Sequence, residues 1–309
     1  MDYFRILSEA LGISWNHKHL WWFGVIVGLP FLSVIPVLVL IQYLIHQSML
    51  PGFIANVEAF NLSGTWFILF LVLFSLSLIT MVSSIGLSAV GTTGTTLGVL
   101  RALARDRGSF RHLLKESLPF FWRALGLRSL YFLAALLVMV LMQWLVMFIY
   151  IVTFGLGMVL TAPMMFLISL VLMVGMGYME LCLITILVEN TGTIEAIRRT
   201  WSSFKQYFWQ VAFIGLLVSI IQWLVSMVFT LPLVAGMSFL QLVPLMWFQT
   251  DVAAMEEWMS ILSTLMIIVL VLLIPFVFLL MGWTLAFYQS CWALVFNRLK
   301  KPAAPVTCK

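Results

Sequence analysis

Ile267-Ile-Val-Leu-Val-Leu-Leu-Ile-Pro-Phe-Val-Phe278 is apolar at every position. A surface helix of a soluble protein would interrupt such a run with polar residues every third or fourth position, and a strand of an outer-membrane barrel would alternate. The run lies inside a charge-free stretch, 258–297, and comparable stretches cover 59–100, 129–179 and 206–250. Because about 20 apolar residues in a helix cross the hydrocarbon core of a bilayer, several helices are expected to span it. The whole chain agrees: 63% of its 309 residues are hydrophobic and 9% charged, with a mean hydropathy of +1.14. Soluble domains carry roughly a quarter charged residues, so a water-soluble globular fold is excluded. The expected fold is an all-α, polytopic integral membrane protein forming a single membrane domain over 1–309.

Dividing the stretches at their polar breaks predicts six spans, approximately 20–46, 65–92, 129–153, 162–186, 209–233 and 261–295. The last is long enough to tilt, or to kink at Pro275, whose ring and missing amide disturb a helix. These spans segregate the charges. All sixteen Lys and Arg, including Arg5, Lys18, Arg107, Arg128, Lys300 and Lys309, fall on one face, and the other receives only Glu58, Asp251, Glu256 and Glu257. The positive-inside rule then predicts a multi-pass protein of the cytoplasmic (inner) membrane with both termini cytoplasmic. The first apolar run is longer than a signal-peptide core and no small-residue cleavage site follows it, so the first span is expected to be retained. Cys182, Cys291 and Cys308 fall in or beside cytoplasmic helix ends and have no metal-site spacing, and the sequon Asn61-Leu62-Ser63 is a short match; neither receives a role.

A repeat is also visible. Leu103-Ala-Arg-Asp106-Arg-Gly108-Ser109-Phe110 aligns with Leu187-Val-Glu-Asn190-Thr-Gly192-Thr193-Ile194 at a spacing of 84. Each copy leaves a span, turns at Gly, and offers Ser109 or Thr193 as the N-cap of an amphipathic helix. Phe110, Leu113, Leu114, Leu118 and Phe121 share one face of the first helix. Ile194, Ile197, Trp201, Phe204 and Phe208 share one face of the second. An aromatic pair, Phe121-Trp122 or Phe208-Trp209, then opens a new span, as Trp21-Trp22 does after an N-terminal amphipathic segment. A second echo lies inside the odd spans, as Gln42-Tyr43-Leu44-Ile45, Gln143-Trp-Leu-Val146 and Gln222-Trp-Leu-Val225; in the third copy Gln lies 13 residues after the aromatic pair instead of 20 or 21, so either two helical turns are missing there or that copy is coincidence. The chain reads as three tandem units of interfacial helix plus two spans, approximately 1–100, 101–190 and 191–298, with a cytoplasmic tail at 299–309. The interfacial helices are expected in the headgroup plane, with Trp21, Trp22, Arg111, Trp122, Arg198, Trp201 and Trp209 toward anionic lipid of the cytoplasmic leaflet.

The segment Val188-Glu-Asn-Thr-Gly-Thr-Ile-Glu-Ala-Ile-Arg-Arg-Thr-Trp-Ser-Ser-Phe-Lys-Gln-Tyr-Phe-Trp209 resembles the recurrent segment of bacterial and archaeal multi-span proteins related to the membrane domain of glycerophosphoryl diester phosphodiesterase. The copy at 103–123 matches less closely and the remainder only in layout. The resemblance implies a multi-span membrane body. Phosphodiesterase activity in fused members belongs to a separate soluble barrel, so it carries over no catalytic residue.

Candidate chemistry is sparse. Glu180 is the one ionisable residue well inside a predicted span, roughly 10 Å from its cytoplasmic end. A carboxyl in hydrocarbon marks a functional site by default. The structural alternative is hydration near the interface, or a hydrogen bond to Tyr178, Gln289 or a serine of the second span; no basic residue is expected inside the membrane to pair with it. Gln143, Gln222 and Gln289 can line a polar path or hydrogen-bond between helices. The small residues from Ser83 to Gly98, including Gly94-x-x-x-Gly98, suit close helix packing, or an unwound segment as in broken-helix transporters. His17 and His19 diverge on a helix and lack a third ligand, so no metal is expected. No catalytic motif is present, which argues against an enzyme and requires no cofactor. The net charge of +5 follows from topology, without nucleic acid. The expected function is a non-catalytic scaffold or accessory subunit that binds lipid and partner membrane proteins; the alternative is a transporter or lipid-handling carrier with a polar site near Glu180.

Overall fold

A computed structural model describes residues 2–30, 65–106, 108–153, 158–247 and 252–300. The described residues fold into helices, with no strand among them. In chain order these are α1 (Tyr3–Asn16), α2 (Trp21–Gly28), α3 (Thr65–Leu103), α4 (Phe110–Ser117), α5 (Phe121–Val152), α6 (Met158–Glu189), α7 (Thr193–Gln206), α8 (Phe208–Trp247) and α9 (Val252–Lys300). Among the described residues five segments are long and apolar enough to cross a membrane: Leu71–Leu103, Phe110–Val152, Pro163–Glu189, Phe208–Val228 and Leu272–Lys300. The expected first span begins in α2; its continuation, Gln42, Glu58, the sequon at Asn61, Arg107, Asp251 and residues 301–309 lie outside the described residues.

The helices overrun the expected spans. α3 has 39 residues and α9 has 49, about 58 and 73 Å at 1.5 Å per residue against a hydrocarbon core of about 30 Å. Hydrophobicity limits a span, whereas backbone hydrogen bonding continues until something competes with it. Pro275 does not interrupt α9, and Pro163 lies within α6. The Gly-Thr run of α3 stays helical, and the hydroxyls of Thr93 and Thr95 donate to the carbonyls of Ala89 and Gly91 one turn back.

Ion pairs gather one set of helix ends. Lys300 at the end of α9 pairs with Glu189 at the end of α6, and Arg199 of α7 pairs with the same carboxylate at 3.0 Å. Arg298 pairs with Glu9 of α1 at 3.3 Å, and Arg123 near the start of α5 donates to Asn190 Oδ1 at 2.6 Å. At the end of α3, Arg101 pairs with Glu116 of α4. The short helices α1, α4 and α7 therefore lie at this basic end. The buried core lies there too, in Val99, Leu113, Leu127, Ile184, Phe204, Ile214 and Trp292, while apolar side chains further along the long helices, such as Val72 and Phe74 of α3, Leu141 and Phe148 of α5, Phe166 and Leu167 of α6 and Ile268 and Leu272 of α9, are exposed.

Helix α2 is wedged between α3 and α9. A Cβ at Gly24 would collide with the backbone of Gly282, one at Gly282 with the backbone of Trp21, and one at Gly91 would come within 2.8 Å of the Phe23 carbonyl oxygen. Only glycine permits backbones this close. One expected cap is corrected. Ser109 occupies the N-cap of α4 without a side-chain cap bond, but Gly192 takes that position in α7, and the Thr193 hydroxyl instead donates to the Arg123 carbonyl at 3.0 Å.

Candidate functional site

Four helices meet at one buried polar ring. Glu180, in a helix ending at Glu189, has a side chain only 2% exposed. Its Oε1 accepts from Arg128 Nη2 of α5 at 3.1 Å, and its Oε2 accepts from Gln289 Nε2 of α9 at 2.9 Å. Arg128 Nε donates to the Thr92 hydroxyl of α3 at 3.1 Å. One turn further along α3, the Thr96 hydroxyl stands 2.9 Å from Gln289 Oε1. The ring therefore runs from Thr92 through Arg128, Glu180 and Gln289 to Thr96, and the backbone of α3 closes it.

Each carboxylate oxygen of Glu180 has a donor, and the single proton of the Thr96 hydroxyl is shared between the Thr92 carbonyl at 2.7 Å and Gln289 Oε1. Thr92 accepts from Arg128 and gives its own proton to the Ser88 carbonyl at 2.6 Å. The amide of Gln289 turns its NH2 toward the carboxylate, which leaves its oxygen for Thr96. An isolated carboxylate in a low-dielectric interior is costly, and here a guanidinium and an amide replace the water it loses. Chemically, the ring can neutralise a buried charge and fix the relative positions of α3, α5, α6 and α9. Each carboxylate oxygen accepts one hydrogen bond from a side chain of a neighbouring helix.

This corrects one expectation. The predicted third span starts at 129 and leaves Arg128 ahead of it, with no basic residue expected inside the membrane. The residue instead lies within α5, which begins at Phe121 and runs on into the span. It is about 10 Å from the helix start, while Glu180 is about 13 Å from the end of its antiparallel neighbour. Counting depth from helix ends would have found the pair. Gln289 is a partner as anticipated, but Tyr178 is not: its hydroxyl donates to the Ile197 carbonyl of α7 at 2.7 Å. Ser83 and Ser88 donate to carbonyls of their own helix.

The other sequence candidates are scattered. Gln143 and Gln222 are exposed on α5 and α8, and neither amide has a hydrogen bond among the described residues. Trp22, Trp122 and Trp209 are exposed, and so are Arg111 and Arg198. Trp201 is exposed as well, stacked against Phe204 with Lys205 Nζ 5.3 Å from its ring centroid. Trp21 is half-buried, and its indole donates to the Ser14 carbonyl at 2.9 Å, pinning α2 to α1. The rings of His17 and His19 are 5.7 Å apart, and burial, then His17, lowers the pKa of His19 below the usual 6.5. Among the described residues no group of three His, Cys, Asp or Glu could hold a metal ion. Comparison of the chain with protein-family models, with curated proteins and with solved structures finds no match.

Proposed function

We propose that the chain is a non-catalytic multi-pass protein of the cytoplasmic membrane, acting as a scaffold or accessory subunit that holds lipid and partner membrane proteins. The observation that carries this reading is the state of Glu180. A carrier needs a coupling group that exchanges protons, ions or substrate with water, yet both oxygens of this carboxylate are engaged within the chain and its side chain is nearly inaccessible. The exposed Trp22, Trp122, Trp201 and Trp209, together with the exposed Arg111 and Arg198, suit interfacial helices resting on an anionic leaflet. The order of short and long helices fits three units of one interfacial helix and two spans. Both termini are cytoplasmic in this reading, because the surplus of cations lies at their end of the bundle.

The test removes the charges as a pair. Glu180→Gln alone leaves a largely buried guanidinium without its counterion, and breaking a buried pair costs about 3–5 kcal/mol, less here because the Arg128 side chain is 16% exposed. The double variant Arg128→Gln, Glu180→Gln should recover most of that stability in thermal unfolding, and in affinity purification it should retain the lipids and proteins that accompany the parent chain. A folded double variant that loses the cellular phenotype would replace the scaffold by a carrier whose polar site is near Glu180.

A further inference from the structure

The Gln-Trp-Leu-Val echo has no part in the polar ring. Both copies show the same pattern, with Gln, Trp and Leu exposed and Val half-buried. Gln143 is the more isolated. It lies 15 residues beyond Arg128 and 9 before Val152, about 22 and 14 Å along α5, further from either helix end than its side chain extends. Residues exposed between Leu136 and Val152 cover about two thirds of the circumference of α5 at 100° per residue, and Gln143 falls within that arc. Its amide therefore faces hydrocarbon with two donors and an acceptor unused, a state that costs several kcal/mol. Leu136, Val140, Gln143, Met147 and Tyr150 are all exposed and form one stripe at three- and four-residue spacing, the pattern by which two helices interlock along a shallow crossing.

We propose that this stripe is where a second copy of the chain docks in the membrane plane, the two Gln143 amides pairing across a two-fold axis along the membrane normal. An amide complements itself, each supplying the donor that the other accepts. Copies related by such an axis also cross the bilayer at equal depth, so the two amides meet without adjustment; another protein would need a polar group at that same depth. Isologous contacts of this kind are the commonest in homo-oligomers. The inference rests on α5 spanning the membrane and is independent of the scaffold reading.

The experiment uses the full chain, its three cysteines replaced, in vesicles of phosphatidylethanolamine and phosphatidylglycerol. Under oxidation, Leu136→Cys and Met147→Cys should each give a covalent dimer, while Leu137→Cys, off the stripe, should not. Resonance energy transfer between labelled copies should show Gln143→Leu weakening self-association about three- to thirtyfold, as loss of an interhelical hydrogen bond predicts, and Gln143→Asn weakening it less. Gln143 makes no hydrogen bond among the described residues, so these substitutions should leave the fold intact, and an unchanged melting temperature checks this. A chain that stays monomeric as the lipid is diluted out, cross-links that form equally at Leu137, or association disrupted only by Gln222→Leu would each overturn the assignment.

Discussion

Arg105 adopts φ 61°, and its neighbours show why. Beyond the end of α3 the Asp106 amide donates to the Arg101 carbonyl at 2.9 Å and the Arg105 amide to the Ala102 carbonyl at 3.1 Å, the paired closure that requires a left-handed residue between them. An L side chain there costs about 1–2 kcal/mol, offset in part by the greater freedom that glycine has in the unfolded chain. Arg105→Gly should therefore stabilise the protein by about 0.5–1 kcal/mol, read as a rise in melting temperature in detergent; a fall would mean that the side chain makes a compensating contact. Asn190 solves the same problem at the end of α6 with φ 52°, a conformation that Asn tolerates, and its side chain also accepts from Arg123. The two left-handed residues stand 85 apart, one position out of step with the spacing of 84 seen in the repeat. His19 carries a pH dependence. Its folded pKa is lowered, so below about pH 6.5 the unfolded chain binds the proton more readily and stability falls with pH. Replacing His19 with Asn should flatten that part of the stability profile between pH 7.5 and 5.5. Glu180 was legible as the only acid within a predicted span. Arg128 was not, because a rule that assigns cations to one face places a residue at the edge of a span outside it.

At the scale of the element, α2 shows how an eight-residue helix is held by backbone approach. Gly282 lies against the carbonyl of Trp21, and no flexible side chain can move aside for an added methyl group. Gly282→Ala should therefore push α2 off α9 and cost about 1–3 kcal/mol, the range for overpacking. Gly86→Ala, at a site where an added Cβ meets nothing, serves as the control in the same thermal assay and should be neutral or slightly stabilising. The existence of the spans was plain from apolar runs of more than 20 residues, since nothing else satisfies so many backbone groups in lipid. Their ends were not, because helical hydrogen bonding carries α3 and α9 well past the hydrocarbon. In α7 the buried face is Ala196, Thr200 and Phe204, while Ile194 and Trp201 are exposed. A sequence of mixed polarity does not reveal which of two partly apolar faces meets protein and which meets another surface.

Over the whole molecule, charge arrangement separates an architecture that any membrane could house from one with a single orientation. At the basic end Glu9, Asp106, Glu116, Glu189 and Glu195 each pair with Arg or Lys. Lys18, Arg111, Lys115, Arg198 and Lys205 are exposed there with no acidic partner among the described residues. Pairing thus occupies these five acids and leaves a net positive surface, which an anionic leaflet would attract by about 1 kcal/mol per cation close to it. The reverse orientation would require these cations to be carried across the bilayer in loops short enough for the positive-inside rule to govern. Single-cysteine labelling in intact cells checks this directly, in a background without native thiols. A cysteine at position 256 should react with an impermeant maleimide from outside, and one at position 111 only after the membrane is opened. α9 runs continuously from Val252 to Lys300 at the basic end, so with α9 spanning the bilayer as proposed the two sites would report opposite faces of the membrane. Labelling of position 111 in sealed cells would invert the whole topology, and labelling of both would mean that α9 does not cross.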